Sequence, residues 1–287
     1  MEASRARSGI CPERRRKDFD TMADLVAPGA WWLHRTRGSN VYLVEALDGR
    51  LALVDTGFGS SVAAVLAEVG AIGGGRPLSH ILLTHSHFDH AGAARDLRRR
   101  TGALTAAGRA DCHQRRDGRF VLDPHIGRTH VGRWLLRKAV HRRGSATIVD
   151  LPLDGEVEVL PGIVAVPVPG HTPGSYCYLV AGAGAAFVGD IVISHPGRLS
   201  RPLRFANADD GLYLRTLREF AARAPQAGCP GHGRPVTSGF DDALRELADL
   251  PRGGSADNAL RKARRRVAGL RGFATGLMRR RQPPGPG

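Results

Sequence analysis

The segment from Thr84 to His90 restricts the folds open to this chain more than any other part of its sequence. It reads Thr-His-Ser-His-Phe-Asp-His, and so places three imidazoles and one carboxylate within six residues. The apolar residues 81–83 before it predict a buried strand, and residues 91–94 after it predict the start of a helix. In layered α/β folds, a strand-to-helix turn projects its side chains from the end of a sheet, which is where ligands bind.

The spacing within this segment indicates two metal positions. His85 and His87 lie two residues apart, so they face the same side of an extended backbone. Asp89 and His90 follow where the chain begins to turn, and can point to a second, adjacent position. Imidazole and carboxylate are ligands that zinc and similar divalent ions accept, but four ligands this close cannot all serve one ion. A lone histidine is more often structural, so this prediction depends on the cluster as a whole.

Composition fits one large α/β domain with appendages. The 287 residues can bury a sizeable core, with 42% hydrophobic residues and 37 glycines for turns. The four cysteines are scattered without a CxxC pair, which argues against a disulfide framework or a cysteine zinc knuckle. No apolar run approaches the ~20 residues needed to span a bilayer. The N-terminus lacks the apolar stretch of a signal peptide, so we expect a cytoplasmic protein without a transmembrane segment.

The net charge of +15 is concentrated in two segments. Residues 109–145 carry +7 and residues 252–287 carry +9, whereas the other residues together carry a charge near zero. Such segments are able to meet nucleic acid, anionic lipid or an acidic partner. We favour the simpler interpretation, in which the arginines form solvated helix faces. Apolar residues recur at helical spacing in the tail, so we expect it to pack against the domain and to contribute little to chemistry.

The sequence divides into three parts. We expect residues 1–27 to form a poorly ordered leader, residues 28–251 to form the domain, and residues 252–287 to form a basic helical tail. The basic insertion at 109–145 interrupts the domain and could roof the site, with a helix at 133–140. Its four histidines lack tight ligand spacing, and we interpret them as surface residues; they are His113, His125, His130 and His141.

Alternating strand and helix signals run through the domain. Strands are predicted at 31–34, 40–44, 51–54, 81–83, 103–105, 147–149, 156–160, 163–168, 176–180 and 186–189, and helices at 61–69, 91–100 and 209–222. Asp55 and Asp190 follow the ends of predicted strands. His171 and His232 lie in glycine-flanked loops, Pro-Gly-His-Thr-Pro-Gly-Ser and Pro-Gly-His-Gly. Fixed side chains at strand ends and in rigid loops are typical of a ligand site.

These motifs together resemble the metallo-β-lactamase fold superfamily. The resemblance rests on His-x-His-x-Asp-His at 85–90, Gly-His-Thr-Pro-Gly-Ser at 170–175, Gly-Asp at 189–190 and Gly-His at 231–232, with Asp-Thr-Gly at 55–57 similar to the family's first motif. It covers about residues 30–250, and no ligand position departs from the pattern. It implies a four-layer αββα sandwich, to which the basic insertion and the helical tail are added.

The resemblance also implies a ligand set. His85, His87 and His171 would bind a first metal. Asp89, His90 and His232 would bind a second, and Asp190 would bridge the two. The set is similar to the glyoxalase II, lactonase and ribonuclease Z branches, because antibiotic-degrading members lack an aspartate ligand at the position of Asp190. Two Zn²⁺ ions per chain are expected, with iron or manganese as alternatives.

The resemblance further implies a hydrolase acting on a small acyl substrate. Hydroxide held between two metals would attack a thioester, lactone or ester carbonyl. Asp55 would orient a ligand or the local backbone. Asp89 would pass a proton to the leaving group, although service as a ligand competes with that role. These two aspartates are the predicted catalytic residues.

Three other functions remain open from the sequence. A nuclease of the same fold is suggested by the basic segments, but they are not interleaved with aromatic residues, which form 6% of the chain. A mononuclear iron enzyme oxidising persulfides would use a similar ligand set. A non-catalytic binding protein on a metal-stabilised fold is the third, and a complete ligand set argues against it. Contact of the tail with nucleic acid or an anionic membrane is the less favoured expectation.

Overall fold

The computed structural model of the chain describes residues 23–124 and 146–251. In chain order its strands are β1 (Ala23–Ala27), β2 (Ala30–Leu33), β3 (Val41–Glu45), β4 (Leu51–Val54), β5 (Leu78–Leu82), β6 (Leu104–Gly108), β7 (His113–Gln114), β8 (Phe120–Leu122), β9 (Thr147–Val149), β10 (Leu151–Leu153), β11 (Val157–Leu160), β12 (Ile163–Pro167), β13 (Tyr176–Val180), β14 (Ala185–Gly189), β15 (Ile193–His195), β16 (Arg198–Ser200) and β17 (Ala227–Pro230). The α-helices are α1 (Val62–Gly73), α2 (Phe88–Ala91), α3 (Ala94–Thr101), α4 (Asp210–Ala221) and α5 (Phe240–Asp249), and short 3-10 turns cover Gly59–Ser61, Arg109–Asp111 and Arg204–Ala206.

Two large sheets carry the domain. The first has the order β1-β2-β3-β4-β5-β6-β10, with antiparallel pairing from β1 to β4 and parallel pairing from β4 to β10. The second has the order β11-β12-β13-β14-β17, antiparallel except for the parallel pair β14 and β17. The carboxyl ends of β4, β5 and β6 therefore share one edge of the first sheet, and those of β12, β14 and β17 share one edge of the second.

The buried side chains form three clusters, which define four layers. One cluster lies between the first sheet and α1 and α3, and includes Leu43, Ile81 and Leu97. A second lies between the two sheets and includes Tyr42, Tyr178 and Phe187. A third joins the second sheet to α4 and α5. Successive residues of β3 alternate between the first two clusters, because side chains along a strand point to opposite faces. The predicted αββα sandwich is confirmed.

Two tyrosines join the sheets at the edge where the strands end. The Tyr178 hydroxyl donates to the carbonyl oxygen of Leu83 at 2.8 Å, and the Tyr42 hydroxyl donates to that of Pro230 at 2.8 Å. Both hydroxyls are buried in the layer between the sheets, where an unpaired hydroxyl is costly. These bonds fix the loops after β5 and β17 relative to the facing sheet.

The structure corrects the predicted start of the domain. Residues 23–27 are not leader but the edge strand β1, paired antiparallel with β2 through Asp24–Trp32 and Leu25–Trp31. The Pro28-Gly29 break is the hairpin turn between these strands, and Gly29 has the positive φ of 66° that such a turn needs.

Other differences concern short elements. The helix predicted at 91–100 is two helices, α2 and α3, separated at Gly92 and Ala93. The described part of the insertion contains strands β7 and β8, which form a small antiparallel sheet with β9, the strand that follows the insertion. Elements β10, β15, β16 and α5 were not predicted. Residues 1–22, residues 125–145 with His125, His130, His141 and the helix expected at 133–140, and the tail at 252–287 lie outside the described residues.

None of the helices in residues 23–124 and 146–251 combines the length and the apolar character that a membrane-spanning helix requires.

Candidate metal centre

The seven predicted ligands meet at the shared edge of the two sheets. The turn after β5 and the start of α2 supply His85, His87, Asp89 and His90, and three loops of the second sheet supply His171, Asp190 and His232. They form two groups, His85 with His87, His171 and Asp190, and Asp89 with His90 and His232. Within each group, one ligand atom from every residue lies within 4.8 Å of the others.

In the first group, three ring nitrogens converge. His85 Nε2 lies 3.0 Å from His87 Nδ1, and His171 Nε2 lies 3.1 Å from the same His87 atom. The rings of His87 and His171 are nearly perpendicular, with centroids 4.7 Å apart. Edge-on rings with converging nitrogens are the arrangement expected of histidines that share one cation.

In the second group, the carboxylate of Asp89 faces two histidines. Asp89 Oδ2 lies 3.2 Å from His232 Nε2 and 3.9 Å from His90 Nε2. Asp190 connects the groups, because Oδ1 lies 3.3 Å from His90 Nε2 while Oδ2 lies 3.6 Å from His171 Nε2. Each oxygen of Asp190 thus faces a different group.

Hydrogen bonds on the far side of three rings fix their orientation. His85 Nδ1 contacts Thr84 Oγ1 at 3.1 Å, His90 Nδ1 contacts Asp55 Oδ2 at 2.7 Å, and His171 Nδ1 contacts Asn207 Oδ1 at 3.0 Å. The Thr84 hydroxyl donates its hydrogen to Asp55 Oδ2 at 2.8 Å, so its oxygen accepts from His85. All three partners act as acceptors, which places a hydrogen on each Nδ1 and turns each Nε2 toward the site, where it would be the atom that binds a metal.

Asp55 adopts a strained backbone at the end of β4. Its φ of 59° is the single positive value among non-glycine residues of the described chain, and such conformations are rare outside glycine, asparagine and aspartate. The strain aims both carboxylate oxygens at the turn after β5, where Thr84 N donates to Oδ1 at 2.8 Å. Asp55 therefore acts through His90 and Thr84, and its buried side chain is placed to position other groups.

The electrostatics of the site favour a bound cation. Burial, followed by the neighbouring histidines, holds the pKa of His85 well below its usual value, so the ring is neutral. Burial alone would lower the pKa of His90, but the carboxylates of Asp190 and Asp55 raise it well above its ordinary value. Burial alone would raise the pKa of Asp190, but His90, His232 and His171 hold it well below the usual range. The carboxylates thus remain charged and attract positive charge to this point.

Two further observations fit a metal at this site. His90 Nε2 and Asp190 Oδ1 are buried and face each other at 3.3 Å, yet neither makes a well-aligned hydrogen bond within the described residues; leaving such atoms without one would be costly. A Cβ atom at Gly231 would lie 2.5 Å from His90 Cε1 and 2.7 Å from Asp190 Oδ1, so glycine keeps this space open. The residues present fit divalent metal ions bound by nitrogen and oxygen.

Every member of the two groups is among the residues predicted from the sequence, but the residues that support them were not predicted. The missed residues are Thr84, Asp111, Thr172 and Asn207. Of the insertion histidines, His113 lies on the surface, 3.6 Å from Asp123, away from both groups.

A four-layer sandwich with histidine and aspartate side chains gathered at the strand ends is typical of one class of proteins, which bind metal ions at the edge of the sheets. Residues 34–232 match the family described as the metallo-beta-lactamase superfamily. The chain belongs to this superfamily.

Similar proteins agree with this assignment. The chain is 28% identical over 218 residues to the atrochrysone carboxyl ACP thioesterase AacuM of Aspergillus aculeatus, an alignment covering 75% of this chain and 57% of that protein. It is 30% identical over 256 residues to the lactamase-like protein nscB of Neosartorya fischeri, covering 85% of this chain and 62% of that protein. The matched region thus spans less than two thirds of either relative. The crystal structure of a metallo-beta-lactamase family protein from Thermus thermophilus shares the fold, with a TM-score of 0.56, 20% identity and 78% of each chain covered.

Proposed function

We propose that this chain is a metal-dependent hydrolase that cleaves a small acyl substrate at a site for two zinc ions. One observation carries the proposal: the carboxylate of Asp190 lies between two complete ligand groups, with one oxygen facing each. A pair of metal ions held there would make water nucleophilic near neutral pH and polarise the carbonyl oxygen under attack. His85, His87 and His171 would hold one ion, Asp89, His90 and His232 the other, and Asp190 both.

A thioester is the first substrate class to test. The matched relative AacuM is named as an ACP thioesterase, and lactones and esters share the same carbonyl chemistry. The buried and the exposed side chains of the site would have different roles. His85, His90 and Asp55 are buried, so they would set the geometry. The Asp89 side chain is 31% exposed, more than Asp190 or Asp55, and it would accept a proton from water and pass it to the leaving group. Cytoplasmic location remains a prediction from the sequence.

The test combines metal content with turnover. Elemental analysis of the purified protein is expected to give two zinc ions per chain, and a panel of thioester, lactone, ester and phosphodiester substrates should give highest turnover for one of the acyl classes. One iron per chain with oxygen-dependent turnover would instead establish the iron oxygenase, and preference for the phosphodiester would establish the nuclease.

Variants locate the activity in this site. His87→Ala and Asp190→Ala should abolish turnover while the protein stays folded by circular dichroism, because the core clusters do not depend on either side chain. His113→Ala is the matched control, since it removes an exposed histidine outside both groups. Unaltered hydrolysis in either ligand variant would overturn the assignment of the site.

A further inference from the structure

Asp111 binds two ligand-bearing loops at once. It lies in the 3-10 turn that follows β6. Its Oδ2 atom accepts from the backbone N–H of Ser86 at 2.9 Å and from the Thr172 hydroxyl at 2.7 Å. Its Oδ1 atom accepts from the backbone N–H of Gly174 at 2.7 Å. Ser86 stands between His85 and His87, and Thr172 directly follows His171.

We propose that Asp111 is a positioning residue, which holds the loop of His85 and His87 in register with the loop of His171 so that their three ring nitrogens converge. The inference rests on the proposed function in that these histidines are taken as the ligands of one metal. The bonds of Asp111 are to Ser86, Thr172 and Gly174 and not to the converging nitrogens, so it acts through those three residues.

The hydrogens of this network can be assigned. The Thr172 hydroxyl has one hydrogen, and the carboxylate of Asp111 can only accept. The contact of 2.8 Å between Thr172 Oγ1 and Ser175 Oγ is therefore donated by Ser175, whose oxygen in turn accepts from Thr172 N at 2.9 Å. Every hydroxyl in the network has a defined direction, and all of them depend on the charged acceptor at Asp111. Hydrogen bonds to an ionised acceptor are about twice as strong as neutral ones.

Backbone packing shows that the contact is close. A Cβ atom at Gly174 would lie 2.6 Å from Asp111 N and 2.8 Å from Asp111 Cβ. A Cβ atom at Gly108 would overlap the carbonyl oxygen of Gly174. The loop of His171 is thus packed closely against the end of β6, where the carboxylate of Asp111 lies.

A second bond joins the same regions, because Tyr176 N donates to Thr84 O at 2.7 Å. That bond lies at the base of the loops, where each one enters or leaves its strand. Asp111 binds one residue from each of His85, His87 and His171, whereas the other bond adjoins His85 alone, because Tyr176 lies about five residues from His171. Loss of Asp111 would therefore leave the sheets in place and loosen the ligand loops.

The test is zinc affinity. Asp111→Asn keeps the size of the side chain but replaces one acceptor by an NH₂ group, which then faces an N–H or O–H donor. In a competition titration with a chromophoric chelator, this variant is expected to bind one of its two zinc ions about 10- to 100-fold more weakly. The weakened site should be the one lost in His87→Ala. Asp117→Asn is the matched control, because the contacts of Asp117 within residues 23–124 and 146–251 are to its own turn, at Arg119 N and Arg115.

The melting temperature of the metal-free protein distinguishes a positioning role of Asp111 from a general structural role. A lower melting temperature of metal-free Asp111→Asn with unchanged zinc affinity would overturn the inference. Should Asp111→Asn fail to fold, Thr172→Val removes one donor to the carboxylate at nearly constant volume, and full zinc affinity in that variant would overturn it equally. A wild-type protein that binds no zinc in the same titration would refute the proposed function instead, so the two failures are distinguishable.

Discussion

Among single residues, the acceptors behind the histidine rings decide which nitrogen can bind a metal. Asn207 shows this most clearly, because its Nδ2 atom donates to Asp210 Oδ1 at 2.7 Å and its Oδ1 atom is thereby turned toward His171. Asp210 also lies 3.3 Å from Arg204. A chain of polar contacts thus runs from the surface to the ring, and it fixes the tautomer of His171 as well as its direction.

Replacing Asn207 by alanine should weaken zinc binding about 10- to 100-fold, the usual effect of removing a hydrogen-bond partner from a histidine ligand. The reason is that His171 loses both the acceptor at Nδ1 and its fixed orientation. Zinc affinity from chelator competition measures the effect, with Gln226→Ala, an exposed amide outside the site, as the control. Equal affinities in wild type and Asn207→Ala would show that the backbone alone orients the ring.

The same residues show what the sequence could and could not predict about the site. Its proposed ligands stand in local motifs, so their residue types and spacing were sufficient to find them. Asn207 lies 36 residues from His171, and Asp111 lies 61 residues from Thr172. Such contacts are created by folding. A polar residue in a loop carries no periodic signal that distinguishes it from a solvated one.

At the level of secondary structure, Asp150 ties the helix α3 to the strand β6. It accepts from Arg98 Nε and Nη2 at 2.9 and 2.7 Å and from Thr105 N at 2.9 Å. Asp150→Asn should lower the free energy of unfolding by about 1.5–3 kcal/mol, the range for hydrogen bonds to a charged group. Urea denaturation measures this free energy. The control is Asp96→Asn, at a more exposed aspartate of α3, which should lower the free energy of unfolding less.

The difference in unfolding free energy between wild type and Asp150→Asn should depend on pH. Burial alone would raise the pKa of Asp150, but the bonds from Arg98 and Thr105 lower it. A carboxyl with a depressed folded pKa contributes stability above its unfolded pKa of about 3.9 and loses that contribution as pH falls through the folded value. The gap in unfolding free energy between wild type and Asp150→Asn should therefore be constant at neutral pH and narrow below about pH 4. A gap that widens on acidification would contradict this assignment of charge.

The predictability of the elements follows from their length. Strands β4 and β13 coincide with the predicted segments because each is an apolar run between turn residues. Strands β10, β15 and β16 have three residues each, too few for a period of two to be visible. Edge strand β1 was missed because Leu25 and its neighbours are exposed or only partly buried. Buried apolar and exposed polar residues therefore do not alternate along this strand. Pairing with β2, a tertiary effect, gives that segment its structure.

In the whole molecule, the proposed metal centre lies where the two sheets meet. The first sheet contributes His85, His87, Asp89 and His90, and the second contributes His171, Asp190 and His232. Asp190 is thus a residue of the second sheet that faces His90 of the first at 3.3 Å. Without a cation, this edge places buried charges and unpaired polar atoms against each other. Bound metal would compensate these charges and cross-link the sheets.

Metal removal should therefore lower the stability of the entire domain. A ligand that binds the folded state at 100 times its Kd stabilises it by about 2.7 kcal/mol, which for a domain of this size corresponds to roughly 5–10 °C in melting temperature. Protein stripped of metal with dipicolinate should have a melting temperature lower by at least this amount, and added zinc should restore the original value.

Magnesium should not restore the melting temperature, because magnesium prefers oxygen ligands and most of the proposed ligands are imidazoles. His87→Ala and His232→Ala, each removing one ligand from a different group, should show a smaller response to zinc than wild type. An identical melting temperature with and without zinc would mean that the two sheets hold this edge together without metal, through bonds such as those of Tyr42 and Tyr178.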